Sequence, residues 1–168
     1  MFRKNEDLPG WNDTKQDYPK HLLVQQLFEQ QVERTPDACA LIFQNQRFTY
    51  RELDRKANQL AHYLCDQGAT PKSLIGLHIE RSSEMVVAML AILKCGAGYL
   101  PLDPKYPESR LQYMASDAAV EIILTQTTLQ DRMVSTGAKT ICLDELPAEV
   151  DLHSAENLSL ANIEPAQD

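Results

Sequence analysis

Residues 144–168 contain no Lys or Arg. All 16 basic residues of the 168-residue chain precede them, so the formal charge of −8 is concentrated in that stretch and the body is near neutral. A basic face suited to nucleic acid is therefore lacking. The uncompensated acids read as a solvated tail or linker. Aromatic residues are thin, at 7 %, with a single Trp. The longest apolar run, Met85 to Leu93, is about half of what a membrane helix requires. Cys39, Cys65, Cys95 and Cys142 form no CxxC pair, which leaves out the common zinc and redox motifs. The opening Met1-Phe2-Arg3-Lys4-Asn5 lacks the apolar centre of a secretory leader. Reduced thiols in a cytoplasmic setting are expected, acting as small apolar fillers. HExxH, GxSxG and Walker patterns are all absent. His21, His62, His78 and His153 include no pair at i, i+4. What the chain does have is 43 % apolar and 24 % charged residues, the balance of a globular domain able to bury its own core.

Periodicity places the elements. Residues 1–20 are polar and aperiodic and read as a linker. Leu23, Leu27, Phe28 and Val32 form one helical stripe over 22–34, which Thr35-Pro36 ends. Ala38 to Phe43 reads as a strand, with a turn at Asn45-Gln46 and a short return strand at 47–49. Thr49 and Glu52 form a capping box, and Phe48 and Leu53 a hydrophobic staple, at the start of a helix that Gly68 stops. Beyond it, strands at 74–79, 99–102, 120–124 and 139–143 alternate with helices at 82–94, 107–117 and 127–134. Ser82 caps the first of these helices, Pro107 takes the first position of the second, and Thr127 with Gln130 forms a capping box on the third. Such alternation predicts an α/β fold: a mostly parallel sheet with helices on both faces. Residues 144–168 lose periodicity and read as an acidic loop or tail.

Candidate chemistry is sparse. Gly96-Ala97-Gly98 follows a helix and precedes a strand, the reverse of a dinucleotide fingerprint, so Gly96 reads as a helix cap and Gly98 as a point of close chain approach. Glu80 and Asp103 fall at the carboxyl ends of two strands expected to be adjacent, the edge where open α/β sheets bind ligands. Two acids there have the character of a Mg²⁺ site, and a solvated pair is the plainer reading. His78 reads as a core histidine, and His62 as lying on a helix surface. Lys94 sits at a helix C-terminus, where a cation is favourable for structural reasons alone. The residues thus give a framework with no catalytic, cofactor-binding or metal residue assigned.

The motifs do carry a resemblance. Phe48-Thr49-Tyr50-Arg51-Glu52-Leu53 resembles the first core motif of the amino-acid adenylation domains of nonribosomal peptide synthetases. Leu93-Lys94-Cys95-Gly96-Ala97-Gly98-Tyr99-Leu100-Pro101-Leu102-Asp103 resembles the second, where alanine is commoner at the positions of Cys95 and Gly98. Pro104-Lys105-Tyr106-Pro107-Glu108-Ser109-Arg110-Leu111 and Val32-Glu33-Arg34-Thr35-Pro36-Asp37 are also similar to that family. Trp11-Asn12-Asp13-Thr14 and Tyr18-Pro19 resemble the linker that follows a condensation domain. The likeness covers roughly residues 8–165.

The resemblance implies an incomplete portion of the large N-terminal lobe of an adenylate-forming enzyme. Residues 1–20 would be interdomain linker, 21–143 part of the lobe, and 144–168 a loop leading to a phosphate loop beyond Asp168. The family activates an amino acid with ATP and Mg²⁺ to an aminoacyl-adenylate and passes the acyl group to the phosphopantetheine thiol of a carrier domain. Its implied partners are the remainder of the adenylation domain and the condensation and carrier domains, with no nucleic acid or membrane. No catalytic residue of the family falls on any position of this sequence, so the chain alone is expected to be inactive. It is also expected to expose apolar surface where the rest of the lobe would pack. The alternative is a stand-alone interaction or regulatory module, or a split-enzyme piece, without catalysis. A flavodoxin-like domain using Glu80 and Asp103 is a third.

Overall fold

A computed structural model describes residues 17, 19–145, 148 and 150–159. Nearly all of the 1–20 segment, including the linker-like Trp11 motif, lies outside the described residues, as do residues 160–168. The elements in chain order are α1 (Val24–Arg34), β1 (Cys39–Phe43), β2 (Gln46–Thr49), α2 (Tyr50–Asp66), β3 (Leu74–His78), α3 (Ser83–Lys94), β4 (Gly98–Pro101), α4 (Glu108–Asp117), β5 (Ile122–Thr125), a 3-10 helix (Gln130–Thr136) and β6 (Lys139–Cys142). Single 3-10 turns follow at Leu143–Glu145 and Val150–Leu152. Among the described residues no helix is long and apolar enough to cross a membrane.

β1 and β2 pair antiparallel as a hairpin. The other four strands form one sheet in the order β4-β3-β5-β6, parallel throughout. Side-chain alternation divides that sheet between two cores. Ile75, Leu77, Ile122 and Leu124 face α2 and α3, joining Leu60, Leu64, Ala88 and Ile92. Ile123 faces the other way, with Leu102, Leu111, Val120 and Met133 beneath α4 and the 3-10 helix. Helices thus cover both faces, as the alternation predicts. Gly76 faces this second core, where an added Cβ would stand 3.0 Å from both Ile123 Cγ1 and Leu102 Cδ1.

Local signals place the helix ends. The Glu52 N–H donates to Thr49 Oγ1 at 3.2 Å, and the Thr49 N–H donates to Glu52 at 2.8 Å. This reciprocal bonding holds the Glu52 carboxyl below its ordinary range. Ser82 Oγ accepts from the Met85 N–H. Gly68 and Gly96 follow α2 and α3 with φ of 102° and 74°, the left-handed geometry of a helix stop.

Three expectations need correction. The helix read over 127–134 is a 3-10 helix beginning at Gln130. Its capping box does not form, because the Asp144 carboxylate takes both the Thr127 N–H (2.9 Å) and the Thr127 hydroxyl (3.1 Å). Pro107 stands at the N-cap of α4, one position before the helix. The acidic segment is mostly exposed over 150–157, but it is not a free tail. Val150 is buried, and α2 holds the segment by its backbone: Gln59 donates to Asp151 O, Asn58 donates to Ala155 O, and the His62 ring bonds Glu156 O. Charge bias hid this, because the bonds use main-chain carbonyls and are indifferent to the acidic side chains. Large apolar side chains also stand in solvent, including Val24 (64 % exposed), Ile42 (62 %), Tyr113 (69 %) and Leu152 (85 %).

Candidate functional site

The carboxyl edge of the parallel sheet is where the fold would place a ligand. β3 and β4 end side by side, with Leu77 opposite Pro101, so Glu80 and Asp103 emerge together as expected. They flank a cleft of about 430 Å³ whose other walls include Ile79, Arg81, Met85 and Lys105. Asp103 already accepts the Lys105 N–H at 2.9 Å, and the Glu80 N–H donates to Gln126 Oε1 at 2.9 Å. The Arg132 guanidinium donates to the carbonyls of Pro104 and Tyr106, and Arg110 lies 4.2 Å from the Tyr106 ring centroid. These contacts fix the shape of the Asp103–Pro107 loop. Among the described residues no three His, Cys, Asp or Glu side chains gather to hold a metal ion.

His78 is fully buried under this edge. Its Nδ1 lies 2.8 Å from Leu102 O, so that nitrogen carries the proton and donates. Its Nε2 is buried without a partner, and a second proton there would find no acceptor. Burial pushes the imidazole below its ordinary pKa. The Leu102 bond and the carboxylates of Glu80 and Asp103 oppose this, while the Arg132 charge adds to it. The ring packs the core and ties β3 to the end of β4.

Phosphate chemistry finds no cradle at this edge. Phosphate loops need glycine between a strand and the helix it feeds. The three such turns here, 79–82, 102–107 and 126–129, contain none. Positive-φ glycines occur instead at 68, 96 and 137, after helices. Glu80 and Glu84 also bring negative charge to the start of α3. The described residues do not fit the phosphates of ATP·Mg²⁺.

A buried polar cluster around Lys94 was missed by sequence reasoning. Lys94 is 1 % exposed and lies at the meeting point of α1, α2, α3 and the 150–157 segment. Its Nζ donates to Glu29 at 2.6 Å and to Asn157 Oδ1 at 2.8 Å. Asp54 Oδ1 lies 2.9 Å from Nζ but out of hydrogen-bonding alignment, so that contact is Coulombic. Asn58 links Asp54 to Asn157. The available signal was helical spacing: Lys94 follows Ala91 by three residues and so shares the buried stripe of α3. The cysteines also divide. Cys95 is buried, Cys65 and Cys142 are half-buried, and Cys39 is exposed, so Cys39 is no core filler.

The model of the family described as AMP-binding enzyme matches residues 28–167. Bacitracin synthase 1 of Bacillus licheniformis is 43 % identical over 82 % of this chain and 3 % of its own length. Gramicidin S synthase 2 of Brevibacillus brevis is 44 % identical over 98 % of this chain and 4 % of its own. The chain therefore spans a few per cent of the curated relatives it matches. Among solved structures, the nonribosomal peptide synthetase FmoA3 in its AMPPNP-bound form superposes with a TM-score of 0.77 at 33 % identity, covering 88 % of this chain and 16 % of that one. The N-terminal subdomain of Klebsiella oxytoca NpsA shares the fold, with a TM-score of 0.69 at 23 % identity over 84 % of this chain and 35 % of that one.

Proposed function

The chain belongs to the AMP-binding enzyme family, and from that premise we propose that it supplies the structural first section of an amino-acid adenylation domain in a nonribosomal peptide synthetase. The observation that carries this is the alignment with gramicidin S synthase 2 across 98 % of the chain. The whole enzyme would activate an amino acid with ATP·Mg²⁺, release pyrophosphate, and load the acyl group onto a carrier-domain phosphopantetheine thiol in the cytoplasm. Condensation and carrier domains would be its neighbours. Residues 1–20 would serve as interdomain linker, 21–143 as part of the lobe, and 144–168 as the lead toward the phosphate loop. The stand-alone module is not favoured, because the relatives are synthetases.

The role of these residues in that reaction is positional. Adenylate formation needs donors and a cation around the α-phosphate, and the described residues cradle no phosphate. Their contribution is a rigid parallel sheet and a pinned 150–157 segment. The test is amino-acid-dependent ATP–pyrophosphate exchange by the purified 168-residue chain. No exchange above background is expected. Robust exchange would overturn the assignment of a purely positional role.

A further inference from the structure

Cys65 lies in the last turn of α2, and Cys95 caps the end of α3. The Cys95 thiol donates to Ala61 O at 3.2 Å. Ala61 stands one helical turn before Cys65, so this carbonyl points toward the Cys65 end of α2. The Cys65 sulfur lies near enough to disfavour charge on Cys95. Cys95 is 1 % exposed and lies in the core beneath α2 and α3, and the half-buried Cys65 packs against the same cluster. The other two cysteines stand apart from this pair: Cys142 contacts Gln130, and Cys39 contacts Leu41 O.

We propose that Cys65 and Cys95 form a reversible dithiol–disulfide site that fastens α2 to α3. The oxidant is a small-molecule disulfide of the glutathione type. The half-buried Cys65 reacts first. Its thiolate attacks one sulfur of oxidised glutathione, the glutathione S–S bond breaks, and one glutathione thiolate leaves. Cys95 then loses its proton to water, and its sulfur attacks the Cys65 sulfur. The mixed disulfide breaks and the second glutathione departs. The protein loses two hydrogens, and one oxidised glutathione becomes two thiols. Burial, with the Cys65 sulfur beside it, pushes the Cys95 thiol pKa up. Resolution is therefore the slow step, and its rate climbs with pH as the thiolate fraction grows.

The experiment exposes the folded protein to oxidised glutathione, quenches with acid, digests with trypsin and reads the masses. The expected product is peptide 57–72 joined to peptide 95–105, released again by excess reduced glutathione. Cys95→Ala should trap glutathione on Cys65, and alanine, the commoner residue of the family at that position, keeps the fold. Cys65→Ser should leave Cys95 unmodified in folded protein. Conversion of the trapped wild-type intermediate should speed up about tenfold per pH unit. A stable mixed disulfide on wild-type Cys65 with no linked peptide would overturn the proposal. So would links that run mainly through Cys39 or Cys142.

Discussion

Replacing Lys94 with methionine removes the one buried cation of the cluster while nearly preserving its volume. Deleting one partner of a buried ion pair costs about 3–5 kcal/mol, because the opposite charge is left uncompensated. Here two carboxylates lose their counter-ion. Their side chains are 23 % (Glu29) and 15 % (Asp54) exposed, so water can reach both, which favours the lower end of that range. Methionine refills the space, so no cavity cost is added. Asn157 Oδ1 loses the ammonium but keeps Asn58. Lys94→Met should therefore destabilise by about 3 kcal/mol. With a urea slope of about 2 kcal/mol per molar, the midpoint falls by about 1.5 M. Amide exchange at Ala155–Leu158 should accelerate, since the segment loses its anchor. Adding Glu29→Gln and Asp54→Asn should recover much of the loss by removing the stranded charges. A Lys94→Met midpoint within about 0.3 M of wild type, at unchanged slope, would refute the claim that this lysine holds the four elements together.

Other outcomes follow from single contacts. Gly76→Ala puts a methyl against Ile123 and Leu102. Overpacking outweighs the entropy gained from losing a glycine, so a net loss of about 1 kcal/mol is expected in urea unfolding, and a stabilised variant would contradict the contact. Thr49→Ala removes the cap of α2 and should cost about 1 kcal/mol; an unchanged melting point would count against it. His78 has a folded pKa below its unfolded value, so the folded state binds fewer protons. Its contribution is complete above about pH 6.5 and is lost as pH falls below that. The urea midpoint should decline between pH 7 and 5, and less steeply in His78→Gln. Equal slopes would mean that another group dominates.

Much of the framework was legible because its signals are local. Thr49 and Glu52 are three residues apart, and Gly68 and Gly96 act on the helices they follow. Strand–helix alternation then requires a parallel sheet, since each crossover returns the chain in the same direction. The failures share the opposite property. Thr127 was read with Gln130, three residues away, but Asp144 from beyond β6 won it. Lys94 looked like a helix-end cation, yet its partners come from α1, α2 and residue 157. The 150–157 segment looked free because its charges are visible in sequence and its backbone bonds are not. Glu80 and Asp103 were placed correctly together, because strand adjacency alone decides that pairing. Cys65 and Cys95 meet only through the α2–α3 packing, which no spacing rule reports.

The most direct test of the central claim is a transplant. The residues of one adenylation domain of gramicidin S synthase 2 that align with this chain are replaced by the chain itself, and amino-acid-dependent ATP–pyrophosphate exchange is measured. If these residues are the structural first section of such a domain, the chimera exchanges with the host domain's own amino acid. A folded chimera that shows no exchange, or one that changes its amino acid, would contradict the account.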